Sequence, residues 1–467
     1  PRLPPRPRRE VSEMLRGAVL LLGISTASGF LNPSPAALRL PSTGRAALAT
    51  PSSRTASRSL SSTPSLLTSN MVMTPVGYGK HHLSKERRAE LEATAKAIAT
   101  FGKGITACDE GPGTIGDRFE KVGIENTEEN RRLYRQMLFT AKDAEKYLSA
   151  AILDPETVYQ KDDNGVPFPE LLTAKGIVPG VKPHLKVYQI PGGRPQETVM
   201  QGLDSLAVRA AEYYAAGCRF AKWRSPLTIG ADGDISDLCI KANMEDLARY
   251  ALICQSEGLM PIVEPDIVLI GDYDLETAVE VNTKVQAALY KAMIDHGVWM
   301  EGSTLKPNMV NPGKACPKAY SCEEIGEATV ATLRRVMPAA MPGVNFLSGG
   351  QSLENAAARL SSINKAKGNS PWNLSFSWSQ ALQLPLLDLC KKNPPGSPLP
   401  LEEMSELLTK ELAIAGAAAR GEYEYSAGQG DHKAVSPVTP VDMTDKGTGT
   451  LDRESPKGGF LAGLFGK

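Results

Sequence analysis

The sequence has little of what disulfide-rich, zinc-binding and nucleic-acid-binding proteins need. Its seven cysteines form no C-x-x-C pair, and its five histidines do not cluster with them, so neither a disulfide framework nor a zinc site is expected. The 52 basic and 52 acidic side chains balance, which gives no electrostatic reason to expect a nucleic-acid partner. At 467 residues, 42% of them hydrophobic, the chain is long enough for one large domain or two ordinary ones.

One stretch near the amino terminus lacks acidic residues altogether. No Asp or Glu lies between Met14 and Lys85, whereas arginines are scattered there among Ser, Thr, Ala and Pro. The apolar segment at residues 17–24 is too short to span a membrane comfortably and is followed by small residues, as in a signal peptide. The Ser- and Arg-rich remainder is typical of a transit peptide. We therefore predict a disordered targeting leader over residues 1–75, and no stable membrane association after its removal.

A signal peptide followed by a transit peptide resembles the bipartite leader of algae with complex plastids. The segment Ala27–Phe30 is similar to the junction of such leaders, with an aromatic residue near the expected cleavage point. The resemblance implies a plastid (chloroplast) location. The alternative is a plain secretory signal with a disordered linker, but secretion would place seven unpaired cysteines in an oxidising compartment.

Strand-like and helix-like segments alternate after about residue 80. Helical patterns include a segment after Asn126, where Asn126 and Glu129 are predicted to form a capping box, and a strong helix at Leu401–Arg420 ended by Gly421. The eight strand-like runs are residues 104–110, 150–158, 176–183, 219–225, 259–267, 303–310, 345–350 and 374–379. This alternation predicts an α/β fold, a closed parallel (β/α)8 barrel of the TIM type.

An open doubly wound sheet is the alternative fold, but no G-x-G-x-x-G follows the first strand to support a dinucleotide site. We predict that the barrel and its carboxy-terminal helix span residues 76–425. A flexible tail is expected over residues 426–467.

Charged residues stand where apolar strands end. Lys182, Glu264 and Lys306 each end a short apolar run and are each followed by a proline, which cannot donate to a strand ladder. Charges at such positions are costly to bury, and the strand ends of parallel barrels are where active sites are built. Alternate side chains of a barrel strand face the barrel axis, which adds Asp109 and Lys222 to this set. The side chains predicted to converge at one mouth are Asp109, Lys182, Lys222, Glu264 and Lys306.

Several lysines among carboxylates predict an amine nucleophile. Neighbouring cations and partial desolvation lower the pKa of a lysine from its usual value of about 10.4, and the neutral amine attacks carbonyl groups. The product is a protonated Schiff base, an electron sink that permits carbon–carbon bond cleavage, with Glu264 or Asp109 to move protons. After the seventh strand, the Ser348-Gly349-Gly350 turn offers backbone N–H groups for a phosphate, although such a turn alone is weak evidence.

The segment VWMEGSTLKPN at residues 298–308 resembles the Schiff-base signature of class I fructose-bisphosphate aldolases, and the similarity runs from about residue 83 to residue 430. It implies that Lys306 forms an imine with dihydroxyacetone phosphate, and that no metal and no organic cofactor is needed. Glu264 is implied as the acid/base of carbinolamine dehydration, with Lys222 and Asp109 assisting. Implied substrate-binding residues are Arg118, Lys182, Arg224, Ser348, Gly349, Ser377 and Gln380.

The sequence also departs from the family pattern. After the eighth strand it has Ser379-Gln380 where better-known members have Gly-Arg, so a permanent guanidinium is lost from a phosphate site. Gly111 and Thr114 stand where two serines are usual, Asp266 replaces a glutamate, and the terminal tyrosine of animal members is missing. These departures leave the choice between six- and seven-carbon bisphosphates open.

Three alternatives accompany the expected sugar-phosphate lyase. One is another lysine-imine barrel enzyme of the transaldolase or deoxyribose-phosphate type, and another is an aldolase that prefers sedoheptulose 1,7-bisphosphate. The third is a catalytically weakened, aldolase-like binding or scaffold protein, although a scaffold has no use for so many costly charges in one mouth. The family resemblance further implies a homotetramer, and roles in glycolysis, gluconeogenesis and, in a plastid, carbon fixation by the Calvin cycle.

Overall fold

The computed structural model describes residues 82–435. The chain divides into two units, Pro1–Met71 and Val72–Lys467, and every described residue belongs to the second. The predicted leader over residues 1–75 and the tail beyond residue 435 lie outside the described residues, so both stay predictions. Within residues 82–435, no helix combines the length and the apolar character needed to cross a membrane.

Eight parallel strands close into a barrel, as predicted. The order around the barrel is β1-β10-β9-β8-β7-β6-β3-β2, and an antiparallel pair, β4-β5, stands apart from it. The strands are β1 (Gly104–Cys108), β2 (Leu148–Leu153), β3 (Val178–Val181), β4 (Val187–Gln189), β5 (Thr198–Met200), β6 (Phe220–Thr228), β7 (Met260–Val268), β8 (Thr304–Leu305), β9 (Gly343–Phe346) and β10 (Asn373–Trp378). The hairpin was not predicted, because its three-residue strands lie among Pro and Gly residues that indicate a loop.

Helices surround the barrel and alternate with most of its strands. The helices are α1 (Lys85–Ile98), α2 (Pro112–Glu120), α3 (Glu128–Thr140), α4 (Ala144–Tyr147), α5 (Pro155–Tyr159), α6 (Phe168–Ala174), α7 (Leu206–Ala215), α8 (Asp237–Ser256), α9 (Leu275–Asp295), α10 (Cys322–Val336), α11 (Leu353–Ala366), α12 (Gln380–Asp388) and α13 (Leu401–Arg420). Helix α13 has the predicted bounds, and Gly421 ends it in the left-handed conformation at φ 74°. Glycine adopts that conformation readily because it has no Cβ.

One predicted helix cap is wrong. The side chain that caps α3 belongs to Thr127, whose hydroxyl accepts the Asn130 backbone N–H at 3.1 Å. The Asn126 side chain instead donates to the Pro112 carbonyl and accepts from Arg131. Thr and Asn are both good caps, so the choice rests on this tertiary contact.

Helix α1 packs across the amino-terminal end of the barrel. Its residues Leu91, Ala95 and Ile98 are buried in one apolar cluster with Ile105 and Ile262, which face the barrel interior from β1 and β7. The other side of each strand packs against the outer helices in a second, larger cluster. The barrel interior is therefore filled at this end, and polar side chains are left to the opposite, carboxyl end.

The prediction that a strand ends at Glu264, before Pro265, is wrong for β7. This strand runs through Pro261 and Pro265 to Val268, so Glu264 lies inside the strand. The Met260 N–H donates to Arg219, next to β6, and alternate N–H groups point to opposite neighbours. Both prolines therefore face β8, which is only two residues long and demands few donors.

Candidate active site

A cavity of about 690 Å³ opens at the carboxyl end of the barrel strands. All of the residues that the sequence predicted for the site line it: Asp109, Arg118, Lys182, Lys222, Arg224, Glu264, Lys306, Ser348, Gly349, Ser377 and Gln380. Strand alternation explains why the charges point inward, because Trp223, between Lys222 and Arg224, and Val263, next to Glu264, are buried in the outer apolar cluster.

Three buried charged residues, Lys306, Glu264 and Lys222, form a continuous chain with the half-buried Asp109 at the bottom of the cavity. Lys306 Nζ lies 3.1 Å from Glu264 Oε1, and Lys222 Nζ lies 3.2 Å from Glu264 Oε2. Lys222 Nζ also lies 2.7 Å from Asp109 Oδ2. The two ammonium and two carboxylate groups balance, which offsets the cost of burying any one of them alone.

The chain of charges keeps Asp109, Lys222 and Glu264 ionised. Burial opposes the charged form of each, but the opposite charges outweigh burial. Lys222 and Lys306 hold the pKa values of the Asp109 and Glu264 carboxyls below their usual range. The two carboxylates in turn raise the pKa of Lys222. Lys222 is therefore a lasting positive charge one carboxylate away from Lys306.

Three further cations surround this centre, and each has its own carboxylate. Lys182 Nζ lies 3.2 Å from Asp154 Oδ2, and Arg224 Nε donates to Asp266 Oδ2 at 2.8 Å. Arg118 Nη1 lies 2.9 Å from Glu110 Oε1. Most of the cations in the site are thus held in place by ion pairs before any ligand arrives.

The turn after β9 presents unused backbone donors. Gly349 and Gly350 have φ values of 61° and 74°, which favour glycine, and the turn leads into α11. Among residues 82–435, the N–H groups of Ser348, Gly349 and Gly350 donate no hydrogen bond. The buried Ser377 hydroxyl also has no partner among these residues. Free N–H groups before a helix of this length are suited to binding a phosphate.

Comparison with known proteins connects this geometry with one family. Residues 90–438 match the family model described as "Fructose-bisphosphate aldolase class-I" of the glycolytic type. The chain belongs to the class I fructose-bisphosphate aldolase family.

Curated relatives and a solved structure agree. The chain is 47% identical over 349 residues to "Fructose-bisphosphate aldolase" of Echinococcus multilocularis, covering 74% of this chain and 96% of the relative. It is 48% identical over 355 residues to "Fructose-bisphosphate aldolase C" of Mus musculus, covering 76% and 95%. A fructose-bisphosphate aldolase from Plasmodium falciparum, crystallised with TRAP and a small molecule inhibitor, has a TM-score of 0.70 and 42% identity, covering 74% of this chain and 98% of that chain.

Departures from the usual aldolase pattern lie on the cavity wall. Gln380, at the start of α12, lines the cavity as a neutral amide. Asp266 is the partner of Arg224, so the shorter acid still reaches its cation. Gly111, which precedes α2, and Thr114, in the first turn of α2, line the cavity.

Sequence analysis missed several residues that line the cavity, among them Glu110 and His184. Glu110 pairs with Arg118 and Arg135 and accepts the Ser379 hydroxyl. His184 is buried, lines the cavity, and neither ring nitrogen has a partner among the described residues. Burial, with Lys222 and Lys182 nearby, holds its pKa well below the usual value of 6.5, so the ring is neutral. The position of His184 two residues after the strand-end Lys182 was the available signal.

Proposed function

We propose that this chain reversibly cleaves fructose 1,6-bisphosphate to dihydroxyacetone phosphate and glyceraldehyde 3-phosphate through a Schiff base on Lys306. The observation that carries the proposal is the placement of Lys306. Its amine lies 3.1 Å from the Glu264 carboxylate and faces a cavity with cationic side chains around it and free backbone N–H groups at one wall. This arrangement joins a nucleophile, a proton acceptor and anion-binding groups in one space.

The proposed reaction begins with a proton transfer that the 3.1 Å distance between Lys306 Nζ and Glu264 Oε1 supports. Lys306 passes its proton to Glu264, and the neutral amine adds to the ketose carbonyl carbon, C2. The carbinolamine hydroxyl takes up a proton and leaves as water, which gives the iminium ion. Glu264 or Asp109 then accepts the proton of the C4 hydroxyl. The C3–C4 bond breaks, and its electron pair moves to the iminium nitrogen.

The cleavage leaves an enamine on Lys306 and releases glyceraldehyde 3-phosphate. Protonation of the enamine at C3 restores the iminium ion. Addition of water then releases dihydroxyacetone phosphate and regenerates the amine. Glu264 or Asp109, which took the proton of the C4 hydroxyl, returns it to C3, and water is the only further reactant that these steps need.

Reductive trapping tests the proposal. Borohydride transfers hydride to the iminium carbon, so dihydroxyacetone phosphate should become fixed to Lys306 as a secondary amine, to be located by peptide mass spectrometry. Lys306→Arg should abolish trapping and turnover, because the guanidinium stays protonated. Lys318→Arg, at an exposed lysine paired with Glu276, is the matched control. Full turnover by Lys306→Arg would contradict the mechanism.

Substrate choice separates the remaining candidates. Efficient cleavage of sedoheptulose 1,7-bisphosphate beside fructose 1,6-bisphosphate would favour the seven-carbon sugar. Turnover of unphosphorylated sugars would favour a transaldolase-like enzyme. Labelling at Lys306 without cleavage of any substrate would favour the scaffold. A chelator should leave fructose bisphosphate cleavage unchanged.

We further propose a plastid location, a role in carbon fixation, and a homotetramer. The acid-free, Arg- and Ser-rich composition of residues 14–85 supports the location. A fluorescent protein fused to residues 1–75 should reach the plastid of an alga with complex plastids, and Phe30→Ala should arrest it earlier. Sedimentation of the mature protein tests the tetramer.

A further inference from the structure

One cation in the active-site cavity has no carboxylate partner. Five of the six lysines and arginines that line the cavity in the described chain are ion-paired: Arg118, Lys182, Lys222, Arg224 and Lys306. Lys314, the sixth, forms no ion pair with any residue between 82 and 435. A positive charge left unpaired among paired ones is available to an anionic ligand.

Lys314 lies at the phosphate-binding turn. Its Nζ is 3.4 Å from the point that a Cβ on Gly350 would occupy, and Gln380 Oε1 is 3.5 Å from the same point. The ammonium group and the amide therefore flank the turn whose three N–H groups, at residues 348–350, donate no hydrogen bond in the described chain. An anion bound to those N–H groups would meet Lys314 directly.

The backbone around Lys314 is fixed in place. The N–H groups of Gly313, Lys314 and Ala315 donate to the carbonyls of Tyr273, Leu269 and Gly271. A Cβ on Gly313 would lie 2.4 Å from the Gly271 oxygen, so the two loops touch. Binding a ligand therefore orders only the side chain of Lys314, which keeps the entropic cost low.

We propose that Lys314 is the cation that binds the phosphate of dihydroxyacetone phosphate in this chain, in place of the arginine that better-known members carry at the position of Gln380. This inference rests on the proposed function. The missing charge at Gln380 is supplied from the loop after β8 instead of from the start of α12. The phosphate then meets three backbone N–H groups, one amide and one ammonium group.

Paired ligands, with and without phosphate, test the proposal. Lys314→Gln should raise the dihydroxyacetone phosphate concentration that half-saturates borohydride trapping by about 10- to 100-fold, as expected for loss of a charged hydrogen bond. Trapping of unphosphorylated dihydroxyacetone should be unchanged. Lys314→Arg should bind like the wild type, and adding Gln380→Arg to Lys314→Gln should restore affinity. Lys433→Gln, the same charge change at an exposed residue outside the cavity, should have no effect.

The outcomes are distinct. Wild-type affinity of Lys314→Gln for dihydroxyacetone phosphate would overturn the proposal, as would an equal loss for both ligands. Rescue by Gln380→Arg shows that the Lys314→Gln protein is folded. Should the wild type fail to be trapped at all, the proposed function fails, and calorimetric binding of inorganic phosphate still decides the role of Lys314. Binding that is the same in wild type and Lys314→Gln would then reject it.

Discussion

Glu264 lies between two ammonium groups and forms an ion pair with each. Lys306 meets one of its oxygens and Lys222 the other, at 3.1 and 3.2 Å. Because Asp109 also contacts Lys222, the Lys222 charge keeps a partner when Glu264 loses its own charge. Glu264 is thus free to take up and return a proton while Lys222 stays charged.

Replacing Glu264 by Gln should therefore impair chemistry more than binding. We expect kcat for fructose bisphosphate cleavage to fall about 10²- to 10⁴-fold, the usual contribution of a positioned acid/base. The imine should still form, but more slowly, in a borohydride time course. Glu276→Gln, at an exposed partner of Lys318, is the control. An unchanged kcat would show that another group moves the proton.

At this scale the sequence predicts which residues meet, but not how they pair. Strand alternation brings Lys222, Glu264 and Lys306 together, since each lies where a strand approaches the mouth. It cannot predict that Asp109 contacts Lys222 and not Lys306, which depends on side-chain rotamers. Lys314 and His184 escape the pattern because both lie in loops, where no periodicity fixes a direction.

Among the elements, α11 connects the barrel to the carboxy-terminal segment. Arg359 of α11 is buried, and its Nε donates to the Gly430 carbonyl at 2.6 Å and its Nη2 to the Asp431 carbonyl at 3.2 Å. Its Nη1 donates to Asn311 and Gln351. All of these acceptors are neutral, and burial lowers the pKa of Arg359 to about 10. This one side chain ties residues 430–431 to the barrel.

Arg359→Leu should release that segment locally. The His432 N–H, which donates to Tyr320 at 2.8 Å, should lose ~2 kcal/mol of protection, or exchange roughly thirtyfold faster, when the charged hydrogen bonds are removed. Hydrogen exchange read by mass spectrometry measures this. Arg334→Leu removes an exposed arginine that also donates to a carbonyl, that of Lys367, and should leave exchange at His432 unchanged. Equal exchange in both variants would contradict the role of Arg359.

Elements are predicted better in their existence than in their ends. The run at residues 303–310 becomes a two-residue strand, β8, because Pro307 and the loop beyond it offer no regular donors. The run at residues 259–267 continues through two prolines, since their missing N–H groups face that short strand. Where a strand ends depends on the strand it pairs with, and the sequence of one segment does not show that neighbour.

At the scale of the whole molecule, the barrel follows from its repeated pattern. Eight apolar runs separated by helices have few alternative closures, so α/β alternation was enough to predict the architecture. The β4-β5 hairpin and the packing of α1 under the barrel could not be predicted, because neither belongs to the repeat. The sequence also does not predict which acidic side chains outside the active site are buried, such as Glu411.

Stability against pH should depend on one such acid. Burial, with Glu354 nearby, raises the pKa of Glu411 to about 8 from an ordinary 4.5. Between these values the unfolded chain has released a proton that the folded chain retains, so stability falls as the pH rises. The slope should be up to about 1.4 kcal/mol per pH unit, and it ends above the folded pKa.

Glu411→Gln should remove that slope. Urea unfolding at pH 5, 6, 7 and 8 should show a difference between variant and wild type that grows with pH in favour of the variant. Glu406→Gln, at an exposed glutamate of the same helix, should follow the wild type. A constant difference between wild type and Glu411→Gln would mean that Glu411 ionises normally in the folded protein.

Because α1 packs across one end of the barrel, the active-site cavity is open at one end only. Leu91, Ala95 and Ile98 close the amino-terminal end, so substrate and products enter and leave through the opening near Lys306. A product bound deep in the cavity can leave only after a product that lies nearer the opening. In the proposed mechanism, the aldehyde fragment is not attached to the protein once the C3–C4 bond is broken, so we expect it to leave first, and the ketone bound to Lys306 to leave after hydrolysis.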